Sequence, residues 1–241
     1  MIRPTLGLLA VLVVPASTQA QRAGAIGEAV AARSVAVGSF DRVRVTGPIT
    51  VTVATGSPRA EVSGDPRLVE RVKLRTDGAT LTIRMGEGVW GARAADAPAG
   101  PVRVALSAPA LSAASVFAGG RVDAARMRGP RVELSVSGAG EIRVADVAAD
   151  QFRATIVGTG AITAAGRAGK ATLATNGAGR IDAAGLLADE LTVALEGPGE
   201  TRAAARYAAQ VRNTGLGSVT VAGDAKCTVY APGGGTVRCG R

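Results

Sequence analysis

Apolar and polar side chains alternate through most of the chain, and from residue 119 onward the alternation recurs at a nearly fixed interval. Its punctuation is a series of glycine corners: Gly119-Gly120, Gly138-Ala139-Gly140, Gly158-Thr159-Gly160, Gly177-Ala178-Gly179, Gly197-Pro198-Gly199, Gly215-Leu216-Gly217 and Gly233-Gly234-Gly235. Aligned on the last glycine of each, the steps are 20, 20, 19, 20, 18 and 18 residues. Two residues beyond that glycine stand Val122, Ile142, Ile162, Ile181, Thr201, Val219 and Val237; four beyond it stand Ala124, Val144, Ala164, Ala183, Ala203, Val221 and Cys239. Period two marks a strand with one buried face. A second strand precedes each corner, with Val132, Leu134 and Val136, then Phe152, Ala154 and Ile156, then Leu191, Val193 and Leu195 in the inward phase. A supersecondary unit repeated at this period buries its apolar face on its neighbours, so the pattern predicts an all-β solenoid of seven turns, each supplying at least two strands.

Turns of equal length place equivalent strands side by side in parallel, about 4.8 Å apart, so seven turns extend roughly 30 Å. Glycine belongs at the corners because it adopts positive φ cheaply. The outward positions test this register independently. One residue past the corner the series runs Arg121, Glu141, Ala161, Arg180, Glu200, Ser218, Thr236, and three past it Asp123, Arg143, Thr163, Asp182, Arg202, Thr220, Arg238. Stacking sets Arg121 beside Glu141, Asp123 beside Arg143, Arg180 beside Glu200 and Asp182 beside Arg202, with no like pair adjacent. Each exposed pair contributes only a few tenths of a kcal/mol, so these charges read as structural.

Before the repeat, strands are expected over Phe40–Val45, Ile49–Ala54, Ala60–Val62 and Ala79–Met85, with a helical turn over Pro66–Val72. Residues 86–100 are rich in Gly and Ala and read as a loop. At the N-terminus, Arg3, an apolar run from Leu6 to Val14, Pro15 and small residues ending at Ala20 predict a signal peptide over 1–20, cleaved after Ala20. A linker over 21–34 and one β-helix domain over 35–241 follow. The apolar run is too short to span a bilayer, which takes about 20 residues, so the mature chain is expected to have no transmembrane segment. No cysteine stands near the cleavage point to accept a lipid.

Composition narrows the picture. Aromatics are 2% of the chain, and small side chains suit a narrow core. The formal net charge of +9 reads first as plain surface charge; as a partner signal it fits an anionic membrane or acidic polysaccharide, and no nucleic acid is expected for an exported protein. With no histidine, catalytic triads using that residue and His-based metal sites are excluded. Cys227 and Cys239 are too few for structural zinc, which leaves a disulfide pinning the open end or a reactive thiol, the oxidising compartment favouring the disulfide. Gly86-Glu87-Gly88-Val89-Trp90-Gly91 matches a dinucleotide-binding pattern by letter, but no βαβ unit surrounds it. Expected cofactors, metals and catalytic residues are therefore none. Trp90 is a possible ligand contact or a plug over apolar surface, and Tyr207 and Tyr230 are the other aromatic candidates.

The segments Phe40-Asp41-Arg42-Val43-Arg44-Val45, Gly47-Pro48-Ile49-Thr50-Val51-Thr52-Val53, Gly64-Asp65-Pro66-Arg67-Leu68-Val69, Gly78-Ala79-Thr80-Leu81-Thr82-Ile83 and Pro109-Ala110-Leu111, followed by the Gly-x-Gly corners, carry a further signal. In this order, over about residues 35–240, the chain resembles the family of putative auto-transporter adhesins with a head GIN domain. The resemblance implies a single-chain right-handed parallel β-helix, exported to the periplasm or cell surface, and brings no catalytic residues. The expected function is a non-enzymatic envelope protein, an adhesin or binding scaffold whose partner is an envelope protein, glycan or anionic surface. An open solenoid end also allows association between copies. Two alternatives stand beside it: a carbohydrate-active enzyme on the same fold, for which Glu141, Glu200 and Asp182 are the acids to change, and an accessory domain of an envelope stress system. Against the enzyme, no row of the stacked face is expected to collect two carboxylates.

Overall fold

The computed structural model describes residues 31–86 and 101–240. Strand content of 72% against 3% helix makes the chain all-β, a solenoid of about six turns roughly 20 residues apart. In chain order the strands are β1 (Ala31–Val35), β2 (Arg42–Thr46), β3 (Ile49–Thr55), β4 (Arg59–Gly64), β5 (Val72–Asp77), β6 (Thr80–Met85), β7 (Val102–Ala108), β8 (Ala113–Phe117) and β9 (Arg121–Ala124). Then come β10 (Met127–Gly138), β11 (Glu141–Gly158), β12 (Ala161–Asn176), β13 (Arg180–Glu196), β14 (Glu200–Asn213), β15 (Ser218–Ala222), β16 (Lys226–Tyr230) and β17 (Thr236–Cys239). Among the described residues the one helix, α1, spans Pro66–Arg71.

Three sides result. The first stacks β6, β2, β8, β10, β11, β12, β13, β14 and β16 in parallel. The second stacks β7, β3, β9, β11, β12, β13, β14, β15 and β17. The third, which the alternation alone did not reveal, is short: Met127–Gly129 lies on Val147–Ala149, then Gly166–Ala168, then Leu186–Ala188. Register shifts at the last two of these steps, β11 onto β12 and β12 onto β13, absorb the unequal turn lengths.

The core is the row structure the repeat predicts. Val122, Ile142, Ile162, Ile181, Thr201 and Val219 are each at most 1% exposed and paired in register. Thr201 is the exception in chemistry: its hydroxyl is buried among these aliphatic neighbours with no hydrogen-bond partner. An unsatisfied buried hydroxyl costs about 1–3 kcal/mol. Thr201→Val keeps the shape and removes that cost, so it is expected to stabilise by about 1 kcal/mol, read as a rise of about 2–4 °C in melting temperature.

The corners divide their labour between two glycines, which refines the sequence expectation. At five corners positive φ falls on the first glycine, Gly119, Gly138, Gly158, Gly177 (113°) and Gly197, whereas Gly179 is needed for room: a Cβ there would sit 3.0 Å from the Gly160 carbonyl oxygen of the previous corner.

The N-terminal region departs from chain order. The coil formed by β2 and β3, first in sequence, lies between the coil of β6 and β7 and that of β8 and β9. The intervening segment turns back as a cap: β4 runs antiparallel on β7, β1 antiparallel on β4, and β5 antiparallel on β6. Asp65 opens α1, its side chain accepting from the Arg67 N–H at 2.8 Å, with Pro66 at the first helical position. Leu68 and Val69 are buried beneath the cap. β1 occupies residues expected to be linker, and β5 lies where no strand was expected; both are antiparallel cap strands outside the repeat that carried the register. The C-terminal end is more open. Val211 is 2% exposed, whereas Val229, at the same inward phase one layer on, is 47% exposed.

Candidate functional site

The second side carries eight of its charges as two quartets. Arg121 reaches Glu141 at 3.1 Å across the strands and Asp123 at 3.0 Å along its own, while Arg143 reaches Glu141 at 2.6 Å. Arg180 and Arg202 each hold Glu200 at 2.7 Å, and Arg202 lies 4.0 Å from Asp182. The neutral layer of Ala161 and Thr163 separates them. All four stacked neighbours stand in the predicted register, though Asp123 and Arg143 each pair along their own strand. Glu141 and Glu200 are each gripped by two guanidinium groups. A carboxylate so held has its lone pairs engaged and is a poor proton shuttle.

A recess of about 680 Å³ runs along the corner between the third and first sides. Gly129, Asp150, Arg167, Gly169, Leu187, Asp189 and Arg206 line it. The register sets Asp150 and Asp189 in one row with Gly169 between them, where a side chain would meet the Asp150 carbonyl oxygen at 2.9 Å. Two carboxylates therefore share a row outside the stacked face to which the sequence expectation applied. The expectation followed only the second side, and the third side was not visible as a period. Two strand spacings, about 10 Å, part their backbones.

Tyr207 and Tyr230 are 58% and 57% exposed, each under an arginine: Arg206 at 4.9 Å and Arg212 at 5.4 Å from the ring centroid. Tyr230 also lines a shallow groove of about 350 Å³ with Thr192, Gln210, Arg212 and Thr228. A larger apolar recess of about 660 Å³ lies over Val53, Leu106, Ala124 and Val144 at the edge of the second side. Trp90 and the glycine-rich match around it lie outside the described residues, as do the signal segment and its cleavage point. Among the described residues no three His, Cys, Asp or Glu side chains group as metal ligands, and no helix is long and apolar enough to cross a membrane.

Cys227 and Cys239 are joined as a disulfide across the last coil, with Cα atoms 6.4 Å apart and a sequence separation of 12. Closing a loop of that length contributes on the order of 3 kcal/mol. In a solenoid each coil touches only its neighbours, so the benefit stays at this end. The Cys227→Ser/Cys239→Ser variant is expected to lose about that much stability in β16 and β17, with amide exchange accelerated there and unchanged in β11 and β12.

The fold has solved relatives. A putative adhesin from Bacteroides fragilis superposes with a TM-score of 0.78 at 19% identity, over 88% of this chain and 98% of that one. A putative adhesin from Parabacteroides merdae gives 0.67 at 20%, over 87% and 95%, and a protein from Parabacteroides distasonis titled a putative lipid binding protein gives 0.66 at 15%, over 87% and 96%. No curated protein matches the chain. The family model described as putative auto-transporter adhesin, head GIN domain, matches residues 39–225. With the stacked coils, the Gly-x-Gly corners and this match over most of its length, the chain belongs to the head GIN domain family of putative auto-transporter adhesins.

Proposed function

We propose that the protein is exported, loses residues 1–20, and works as a non-enzymatic scaffold of the cell envelope, making contacts through the flat outer sides of the solenoid. The observation that carries this reading is the pair of charge quartets: the acids at the centre of the second side are consumed in holding adjacent coils together, leaving a rigid presenting surface. Family membership and the adhesin titles of its fold neighbours support contact as the role, with an envelope protein, a glycan or a lipid surface as partner. The test is capture from the organism's own envelope fraction by the tagged mature protein. Specific retention of an envelope component by the folded protein, lost on heat denaturation, is the expected result; none at low ionic strength sinks the proposal. Mass spectrometry of the exported chain is expected to find Gln21 as its first residue.

One observation favours a second reading, hydrolysis of a polysaccharide: Asp150 and Asp189 in one recess with Gly169 open between them. Inverting hydrolases separate their carboxyl groups by about 6.5–9.5 Å. On the scaffold reading, release of reducing sugar from acidic polysaccharides stays at background for the wild type and for Asp150→Asn and Asp189→Asn alike. Turnover abolished by either change would replace the first reading with the second.

A further inference from the structure

We propose that the cap end of the first side is a docking surface for an anionic lipid bilayer, with Arg42, Arg44, Lys73, Arg75 and Arg84 engaging headgroup phosphates. The inference rests on the reading of the chain as an envelope contact protein and names the partner and the residues.

Three neighbouring strands, β5, β6 and β2, build the surface. Register places Arg75, Thr82 and Arg44 in one row, Lys73, Arg84 and Thr46 in the next, and Asp77, Thr80 and Arg42 in the third. Five of these nine outward positions are cationic and one is acidic. All five cations are exposed. Arg42 has Asp41 at 3.8 Å; among the described residues no carboxylate lies within ion-pair distance of Arg44, Lys73, Arg75 or Arg84.

The contrast with the second side gives the patch its meaning. There, stacked neighbours of opposite sign neutralise each other coil by coil. Here Lys73 stands directly opposite Arg84 on antiparallel strands, an arrangement that destabilises a sheet. A sequence that needed only a solvated surface would place an acid at one of the two, as it does elsewhere. Concentrated, unneutralised charge at a structural cost points to an external anion.

The geometry selects the kind. The cations form a two-dimensional grid on a sheet whose other positions are the short side chains of Thr46, Thr80 and Thr82 and, at one corner, Asp77, which matches a plane of phosphates. Sugar rings call for an aromatic platform. Among the described residues, Phe117 on β8 lies under the Arg44 guanidinium at 5.7 Å and is already covered. With no apolar wedge among the grid positions, attachment is electrostatic and reversible.

The experiment is co-sedimentation of the mature protein with phosphatidylcholine–phosphatidylglycerol vesicles and with phosphatidylcholine vesicles alone. Binding is expected to the anionic vesicles only, and to fall steeply as ionic strength rises from about 0.05 to about 0.3 M. Each cation near an anionic surface strengthens attachment about fivefold, so Arg44→Gln/Arg75→Gln/Arg84→Gln is expected to bind about 100-fold more weakly. The control, Arg128→Gln/Arg167→Gln/Arg206→Gln, removes the same net charge from beside the third side and is expected to bind within a few-fold of wild type. Folding of both variants is checked by circular dichroism, and because the first relieves the Lys73–Arg84 repulsion its melting temperature is expected to hold or rise. Equal weakening by both triples, salt-insensitive binding, or no vesicle binding would overturn the proposal. If the grid variant lost binding to an acidic polysaccharide while vesicles never bound, the partner would be glycan and the bilayer assignment wrong. Envelope capture by wild type without vesicle binding would leave the scaffold reading standing while this inference fell.

Discussion

Gly177→Ala is expected to destabilise the protein by about 3–5 kcal/mol, a loss that few single substitutions reach. Two separate costs combine. Gly177 has φ of 113°, where an L side chain costs about 1–3 kcal/mol. A Cβ there would also sit 2.6 Å from the Gly158 carbonyl oxygen and 3.2 Å from its carbonyl carbon, backbone atoms of the preceding corner that cannot move without shifting their own coil. Gly119 separates the two contributions. Its φ is 91°, yet a Cβ would meet nothing within 4 Å, so Gly119→Ala is expected to cost only about 1–2 kcal/mol. Urea denaturation of both variants measures the difference, which is the penalty for disturbing coil-on-coil contact. Equal losses would mean that the corners are conformational devices and do not bear on one another.

Ile162→Ala is expected to cost about 3–4 kcal/mol. Ile162 is 1% exposed and lies between Ile142 and Ile181, each fully buried, in a row whose neighbours are fixed by strand pairing on both sides. The narrow core has few large side chains with which to refill the space, and the rigid ladder limits collapse toward it, which places the site in the upper part of the range for such truncations. Because every coil supports the next, the variant is expected to weaken the coils on either side of it before the cap, and amide exchange across β11 to β13 resolves this. Loss confined to unfolding of the whole molecule, with no local acceleration, would contradict nearest-neighbour stacking.

How much of this was legible beforehand follows from how each signal is written in the chain. The Gly-x-Gly corners and the alternation after them are local patterns repeated many times, so their phase could be read, and the register of Arg121 on Glu141 and of Asp182 on Arg202 came with it. The third side has only a few paired residues per coil and contains the register shifts, so it shows no lasting period; with it went the placing of Asp150 and Asp189 along one recess. The insertion of the β2–β3 coil between later coils is set by non-local pairing. Val43 and Val45 are compatible with either neighbour, and nothing in their alternation says which strands flank them. The cationic grid was hidden for the same reason. Lys73 and Arg84 are 11 residues apart and become a like-charged pair only once β5 folds back on β6.

The claim beneath all of this is that successive coils lie directly over one another. Spin labels at Glu133 and Gln210, and in a second sample at Glu133 and Thr228, test it by pulsed electron–electron distance measurement. Register places Glu133, Arg153, Thr172, Thr192, Gln210 and Thr228 in one row on the first side. The backbone separations are then four and five strand spacings, about 19 and about 24 Å, and the added 18 residues of chain lengthen the distance by a single spacing of about 5 Å. Two narrow distributions offset by that amount are the predicted result. Distances that coincide, or that differ by much more than one spacing, would show that these segments do not stack.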